Sequence, residues 1–318
     1  MSGAGLSFVL GRVIRGVVTV WIAVSAVFFA LRTIPGDAAD AMMGQQMSAE
    51  GVALIRRQMG LDQPLVTQYL TFIGDLLRGD LGLSLAIGKP VSELLWQVAP
   101  FTAVVVLGAL LIGAGIGIPL GLAAAKRRNS VIDAMARTLS LTGLVIPGFI
   151  IGILLMIPFS VWLGWFPVVG GGEAGDIWSL VYFGTLPALA GGLGMAAYLT
   201  RLTRATALDL MREDFVRTAR AKGLSETTVF YRHVLRNALV PIVTFVGLYA
   251  VIMIGDSIAI EIVFSRPGFG RLIMGGISQR DYTLLQSVLL VYVLIALLVN
   301  FVVDLLYTWI DPRTKLSV

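Results

Sequence analysis

Six stretches of the chain are apolar around the whole helical circumference: Gly16–Ile34, Phe101–Ala125, Leu139–Leu163, Leu180–Leu199, Leu239–Ile262 and Leu284–Leu306. A helix needs about 20 mostly apolar residues to cross the hydrocarbon of a bilayer. Each stretch is long enough, and each is predicted to be a transmembrane helix. Barrel strands would instead alternate polar and apolar positions over about 10 residues, and these runs do not alternate. Arg12 and Arg15 precede the first run in the manner of a signal peptide. That run exceeds the 7–15 apolar residues of a cleavable core, and Arg32 interrupts any cleavage region, so it reads as an uncleaved first span.

Between the first two spans, residues 35–100 are polar enough to be ordered outside the bilayer. Ser48 is placed to cap a helix reaching about Met59, with Gly60 to end it. Pro64 suits a first-turn position. Val66, Tyr69, Leu70, Ile73, Leu76 and Leu77 then recur at helical spacing. A small helical segment is predicted here rather than a plain linker. Two further loops, 164–179 and 263–283, lie on the same side. Gly113, Gly115 and Gly117 spell G-x-G-x-G, but no strand precedes them and they fall within a span. They read as close helix packing, as do Gly191, Gly192 and Gly194, rather than as a nucleotide loop.

Composition sharpens this picture. Of 318 residues, 57% are hydrophobic and 14% charged, with a mean hydropathy of +0.88. A soluble domain carries about 25% charged residues, so a polytopic membrane protein is the remaining class. The absence of cysteine excludes disulfides, thiolate metal sites and cysteine nucleophiles. His233 is the single histidine and reads as a structural contact within its loop. Net charge is +5, with a pI near 9.7. The cations flank the apolar runs and therefore read as topology signals rather than a nucleic-acid surface. Of the 24 Lys and Arg, 16 fall on the side holding both termini and the 126–138 and 200–238 loops. The positive-inside rule makes that side cytoplasmic.

The 200–238 loop carries 8 of those 16 cations. Within it, Asp214–Lys222 reads as a short helix ended by Gly223. Ser225 is placed to cap a second helix bearing Val229, Phe230, His233 and Val234, which meets the next span at Asn237 and Pro241. The shape is an elbow, and its exposed apolar and cationic groups are expected to be satisfied by a partner protein. Ala219 is small where close approach to that partner is expected. No G-x-x-x-x-G-K-[ST] pattern occurs, so any nucleotide energy must come from another chain.

Arg217-Thr-Ala-Arg-Ala-Lys-Gly223 resembles the E-A-A-x-x-x-G loop of importer-type ABC permeases, with Arg217 where glutamate is usual. The departures are similar to the dipeptide/oligopeptide branch, which includes nickel and glutathione importers. The resemblance extends to Arg32-Thr-Ile-Pro-Gly-Asp37, Gly60-Leu-Asp-Gln-Pro-Leu65, Gln68-Tyr69, Arg78-Gly-Asp-Leu-Gly82, Phe264–Arg271, Arg280-Asp-Tyr282, Leu284-Leu-Gln286, Asn300, Asp304-Leu-Leu-Tyr307 and Asp311-Pro-Arg313. It implies an all-α, six-span, type I ABC importer-like fold: a single permease domain over 1–318, with an extracytoplasmic helical segment at 35–100 and a coupling loop at 200–238.

From the same resemblance follow the expected partners: a homologous C-type permease, two ABC ATPases, an extracytoplasmic solute-binding protein and the lipid bilayer, without nucleic acid. No catalytic, cofactor or metal site is expected in this chain, with ATP and Mg bound by the ATPases. The residues expected to couple to the ATPase are Asp214, Arg217, Thr218, Ala219, Arg220, Ala221, Lys222, Gly223, Leu224 and Ser225. Those expected to dock the binding protein are Gly36, Asp37, Arg266, Pro267, Gly268, Phe269, Gly270, Arg280 and Asp281. The implied function is import of di- or oligopeptides across a bacterial inner membrane, with both termini cytoplasmic. Nickel or glutathione import is the alternative within the family. A secondary transporter or channel is the alternative outside it, although the span centres are nearly free of the charges that ion coupling uses. An intramembrane hydrolase has little to work with, since no mid-span Asp pair and no cysteine are present.

Overall fold

The computed structural model describes residues 3–33, 49–58 and 60–310. Gly36, Asp37, the expected cap Ser48 and the Asp311-Pro-Arg313 motif lie outside the described residues. The chain forms two compact units, residues 1–99 with 268–297, and residues 100–267 with 298–318.

The first unit begins with α1 (Gly3–Thr33), followed by α2 (Ala49–Gln58) and α3 (Leu65–Leu77). Gly60 ends the α2 segment at φ +64°, and Pro64 stands at the N-cap of α3. An aromatic cluster packs α3 on α1. Phe28 meets Tyr69 edge-on at 5.3 Å and stacks on Phe72 at 5.4 Å, and Ser25 Oγ lies 2.7 Å from the Tyr69 hydroxyl. The packed face therefore runs through Gln68, Tyr69 and Phe72. Val66, Leu70 and Leu77 of the helical repeat are exposed instead.

Next comes a feature that the all-helical reading does not contain, a two-stranded hairpin of β1 (Leu83–Ser84) and β2 (Lys89–Pro90). Its turn and approach use Gly82 at φ +78° and Gly88 at φ +73°, conformations open chiefly to glycine. The start of α4 (Val91–Lys126), all of α11 (Phe269–Ser278) and α12 (Tyr282–Ile310) as far as Leu297 complete this unit, the end of α12 belonging to the second. Its core gathers Val91, Leu94, Leu95, Phe269, Leu284 and Val288.

The second unit holds the rest of α4, then α5 (Val131–Val145), α6 (Gly148–Met156) with a π turn (Ile157–Trp162), and α7 (Ile177–Leu210). It continues through α8 (Asp214–Ala221), α9 (Glu226–Thr228), a π turn (Val229–Val234) and α10 (Leu235–Val263). Helix α7 is its axis, buried along most of its length. Close approach of α4 to α7 explains the glycines. A Cβ on Gly113 would sit 2.6 Å from Met195 Sδ, and one on Gly117 would sit 2.9 Å from the Ala196 carbonyl oxygen. Gly115 faces open space, so the contact stripe has the four-residue period of small-xxx-small packing rather than the G-x-G-x-G spacing.

Among the described residues, five helices are continuous and apolar enough to cross a bilayer, and a sixth candidate is a broken pair. The expected third span, Leu139–Leu163, is not one helix. Helices α5 and α6 meet at a 105° bend. Pro147 disfavours the helical conformation at the residue before it. Ile146 is accordingly extended, with φ −84° and ψ 118°. The elbow's second helix also differs from expectation. It does not stop before the span, but runs from Glu226 to Val263 through its π turn as a single 38-residue helix.

Candidate functional site

The elbow is built by a helix ending. Lys222 caps α8 and Gly223 follows at φ +79°. The Gly223 N–H donates to the Arg220 carbonyl at 2.9 Å, and the Leu224 N–H reaches back to the Ala219 carbonyl at 3.3 Å. This pair of bonds is a Schellman ending, which needs a left-handed residue after the cap. Ser225 then accepts from the Thr228 N–H at 3.3 Å, capping the next helix as its sequence position predicts. Across the turn, Arg220 Nε and Nη2 donate to both Glu226 oxygens at 2.8 and 3.1 Å. Glu226 thereby raises the pKa of Arg220 above its ordinary value.

Val216, Ala219, Val229, Phe230 and Val234 are buried together with Leu122, Ala125 and Ala207, at the ends of α4 and α7. The expectation that Ala219 meets a partner directly is thus corrected. Its methyl faces the chain's own core, because α8 is amphipathic and puts that stripe inward. The opposite side carries Asp214, Arg217, Thr218, Arg220, Ala221 and Lys222, all exposed, with Phe215, Leu224 and Tyr231 as exposed large apolar side chains around the elbow. The cluster packs the elbow against the ends of two long helices.

The residues expected to dock a binding protein divide sharply. Arg266 is fully buried. Its Nε donates to the Phe101 carbonyl at 3.2 Å and its Nη2 to the Leu180 carbonyl at 3.0 Å. Burial pushes its pKa down to about 10, against an upward pull from Glu261. Glu261, itself buried, accepts from the Thr102 hydroxyl at 2.5 Å. Asp281 is also buried; it accepts from Ser84 Oγ at 2.7 Å and from the Ala86 N–H at 3.2 Å, holding the hairpin. Gly268, Phe269 and Gly270 are buried and Pro267 is half-buried. These side chains are corrected from surface groups to internal ties, since a guanidinium and a carboxylate buried without such bonds would be prohibitively unstable. Among the described residues of this set, Arg280 alone is exposed, at φ +52°.

The break between α5 and α6 opens a cavity of about 190 Å³. Gly148, Gly194, Tyr198, Tyr249 and Asp256 are among its walls. Tyr198, Phe245 and Tyr249 form an aromatic group beside it, with ring centres 5.8–6.2 Å apart. A broken transmembrane helix is tolerated where it is buried in protein or lines a cavity, and transporters place solute sites at such breaks. Hydrophobic periodicity passes over this site, but Ile146-Pro147-Gly148 inside an apolar run is the signal that marks it.

Residues 117–316 match the family described as the binding-protein-dependent transport system inner membrane component, and residues 5–103 match the N-terminal part described for the same membrane component. The chain is similar to the glutathione transport system permease protein GsiC of Salmonella typhimurium, with 40% identity over 98% of this chain and 99% of that one. The protein of the same name in Escherichia coli strain K12 is 38% identical over the same shares. A solved structure of the MetNI methionine ABC transporter in an inward-facing conformation aligns with a TM-score of 0.55 and 21% identity, covering 69% of this chain and 97% of that one. This last likeness is one of fold.

Proposed function

This chain belongs to the family of binding-protein-dependent transport system inner membrane components, the multi-pass permease subunits of ABC importers, and from that premise we propose that it carries small peptides inward. Glutathione, the solute in the relatives' names, is itself a tripeptide and falls within that class. The proposed assembly pairs this chain with one homologous permease, two ABC ATPases and an external solute-binding protein. The ATPases bind ATP and Mg, and this chain performs no chemistry. Both termini and the elbow lie in the cytoplasm, in keeping with the 16 cations on that side.

The observation that carries this reading is the elbow. Its inner face is locked to α4 and α7 by the Val216–Phe230 cluster, while its outer face leaves Phe215, Leu224 and a row of cations open. That is the form of a lever: a docked ATPase moves the outer face, and packed helices turn as rigid bodies between inward-open and outward-open arrangements.

The solute class is tested by uptake in cells lacking this chain and in cells complemented with it. Labelled Ala-Ala and glutathione should both lose entry on deletion and regain it on complementation, with nickel entry unchanged. Loss of nickel entry with peptide entry intact would contradict the peptide reading.

A further inference from the structure

Several sequence motifs that the transport cycle leaves without a task converge in the first unit. The end of α1, one side of α3, the Asp80-Leu-Gly82 part of the Arg78–Gly82 loop and the start of α12 together line a cavity of about 260 Å³. Arg32 stands in its wall with its guanidinium 3.5 Å over the Phe28 ring. Its Nε donates to Gln68 Oε1 at 3.0 Å and its Nη1 to the Phe28 carbonyl at 3.3 Å. A guanidinium has five N–H donors, so these bonds orient it without exhausting it.

Gln286 stands in the same wall at 6% exposure, and its Nε2 has no hydrogen-bond partner. An unpaired buried amide destabilises a fold, whereas leucine at the same place would not. The unpartnered amide is therefore placed to meet an acceptor that enters the cavity. Asp75 and Asp80 supply the opposite sign to the walls. Asp80 Oδ1 accepts from the Gly82 N–H at 2.8 Å, and Asp75 Oδ1 lies 3.6 Å from Nη1 of the exposed Arg78.

We propose that this cavity binds a small zwitterion by its two ends, the carboxylate on Arg32 and Gln286 and the ammonium towards Asp75 and Asp80. The volume of about 260 Å³ lies below the roughly 300 Å³ at which drug-sized pockets begin, which suits a peptide of two or three residues rather than a longer chain. The inference rests on the peptide reading above and deepens it: the cavity selects short solutes with both termini free, in a part of the chain distinct from the cavity at the α5–α6 break.

The test uses the detergent-purified permease–ATPase complex without the external binding protein, in equilibrium dialysis against labelled Ala-Ala. Saturable binding is expected, weakened about tenfold or more when either end is blocked, as in Ala-Ala amide or N-acetyl-Ala-Ala, since each block removes a charge-assisted contact. Arg32→Met should weaken Ala-Ala binding to the same degree. Gln286→Leu should weaken it about tenfold while leaving thermal unfolding unchanged or shifted upward, which a purely structural glutamine would not do. No saturable binding, equal binding of the amide, or unchanged binding by Gln286→Leu overturns the proposal. So does displacement by phosphoethanolamine at lower concentration than by unlabelled Ala-Ala, which assigns the cavity to a lipid headgroup. Peptide uptake in cells that survives a negative binding result removes the cavity site and leaves the peptide reading standing. Specific binding without any peptide uptake does the reverse.

Discussion

Arg204 donates from both Nε and Nη2 to the carboxylate of Asp133, whose side chain is fully buried, with the Nη2–Oδ2 bond at 2.9 Å. The same carboxylate accepts from the Asn129 N–H at 3.0 Å, and the Asp133 N–H donates to Ser130 Oγ at 3.3 Å. One acidic residue thus ties the first turn of α5 to α7, the helix that leads into the elbow. The pair joins the broken span to the lever, and its removal should be felt in both stability and transport.

Asp133→Ala leaves Arg204 largely buried and unpaired. Removing one partner of a buried pair destabilises by about 3–5 kcal/mol; with Arg204 20% exposed, the lower end applies. Chemical unfolding of the detergent-solubilised chain should show a loss of about 3 kcal/mol. The double variant Asp133→Ala with Arg204→Leu should recover a large part of it.

The internal ties give a contrasting pair. Arg266→Ala should lower thermal stability, because it empties a buried volume and leaves the Phe101 and Leu180 carbonyls without their donor. Arg280→Ala should leave stability within about 0.5 kcal/mol, as surface changes generally do. Unfolding curves of the two variants check this. Equal stability of Arg266→Ala and the parent would refute the structural role of Arg266.

At the elbow, the structure separates folding from docking. Gly223→Val places a β-branched residue at φ +79° and should misdirect α8. Ala219→Trp should expel the inner cluster, so both variants should lose ATPase co-purification together with local stability. Leu224→Asp acts on the exposed side, and should lose ATPase subunit while thermal stability stays within about 0.5 kcal/mol. Lys222→Ala should be mild, since exposed ion pairs contribute only about 0–1 kcal/mol. Quantifying retained ATPase after purification decides among these.

Orientation is checked by cysteine labelling in this cysteine-free chain. Ala221→Cys, on the exposed side of α8, should react only with reagent admitted to the cytoplasm. Lys89→Cys, on the hairpin, should react from outside. Ser84 is unsuitable as a reporter because it is buried against Asp281. The reverse pattern would invert the proposed topology.

Much of this architecture is legible in the residues themselves. Apolar runs locate the long helices because a span must hide its backbone and side chains over its whole length. Gly223 and Ser225 announce the elbow because helix endings are governed by local chemistry. The positions of Arg266 and Asp281 are not legible in the same way. Arg266 bonds to a carbonyl 165 residues away, and Asp281 to a hydroxyl 197 residues away. No local pattern separates such a tie from a surface charge. Ala219 is a similar case: a small residue on an amphipathic helix suits a docking face and a tight core equally, and only the packing of Val229 and Phe230 decides for the core. The break at Pro147 lies between these extremes, visible as a proline but averaged away by a hydropathy window.

A passive path moved by separate ATPases through its elbow is the role proposed for this chain. It is tested most directly by uptake of labelled peptide into proteoliposomes holding the complete set of permeases, ATPases and binding protein. Uptake should require ATP inside the compartment equivalent to the cytoplasm and should persist when ion gradients are collapsed with ionophores. It should vanish with Leu224→Asp in this chain. Uptake by this chain alone, driven by a proton or sodium gradient and indifferent to ATP, would contradict the account.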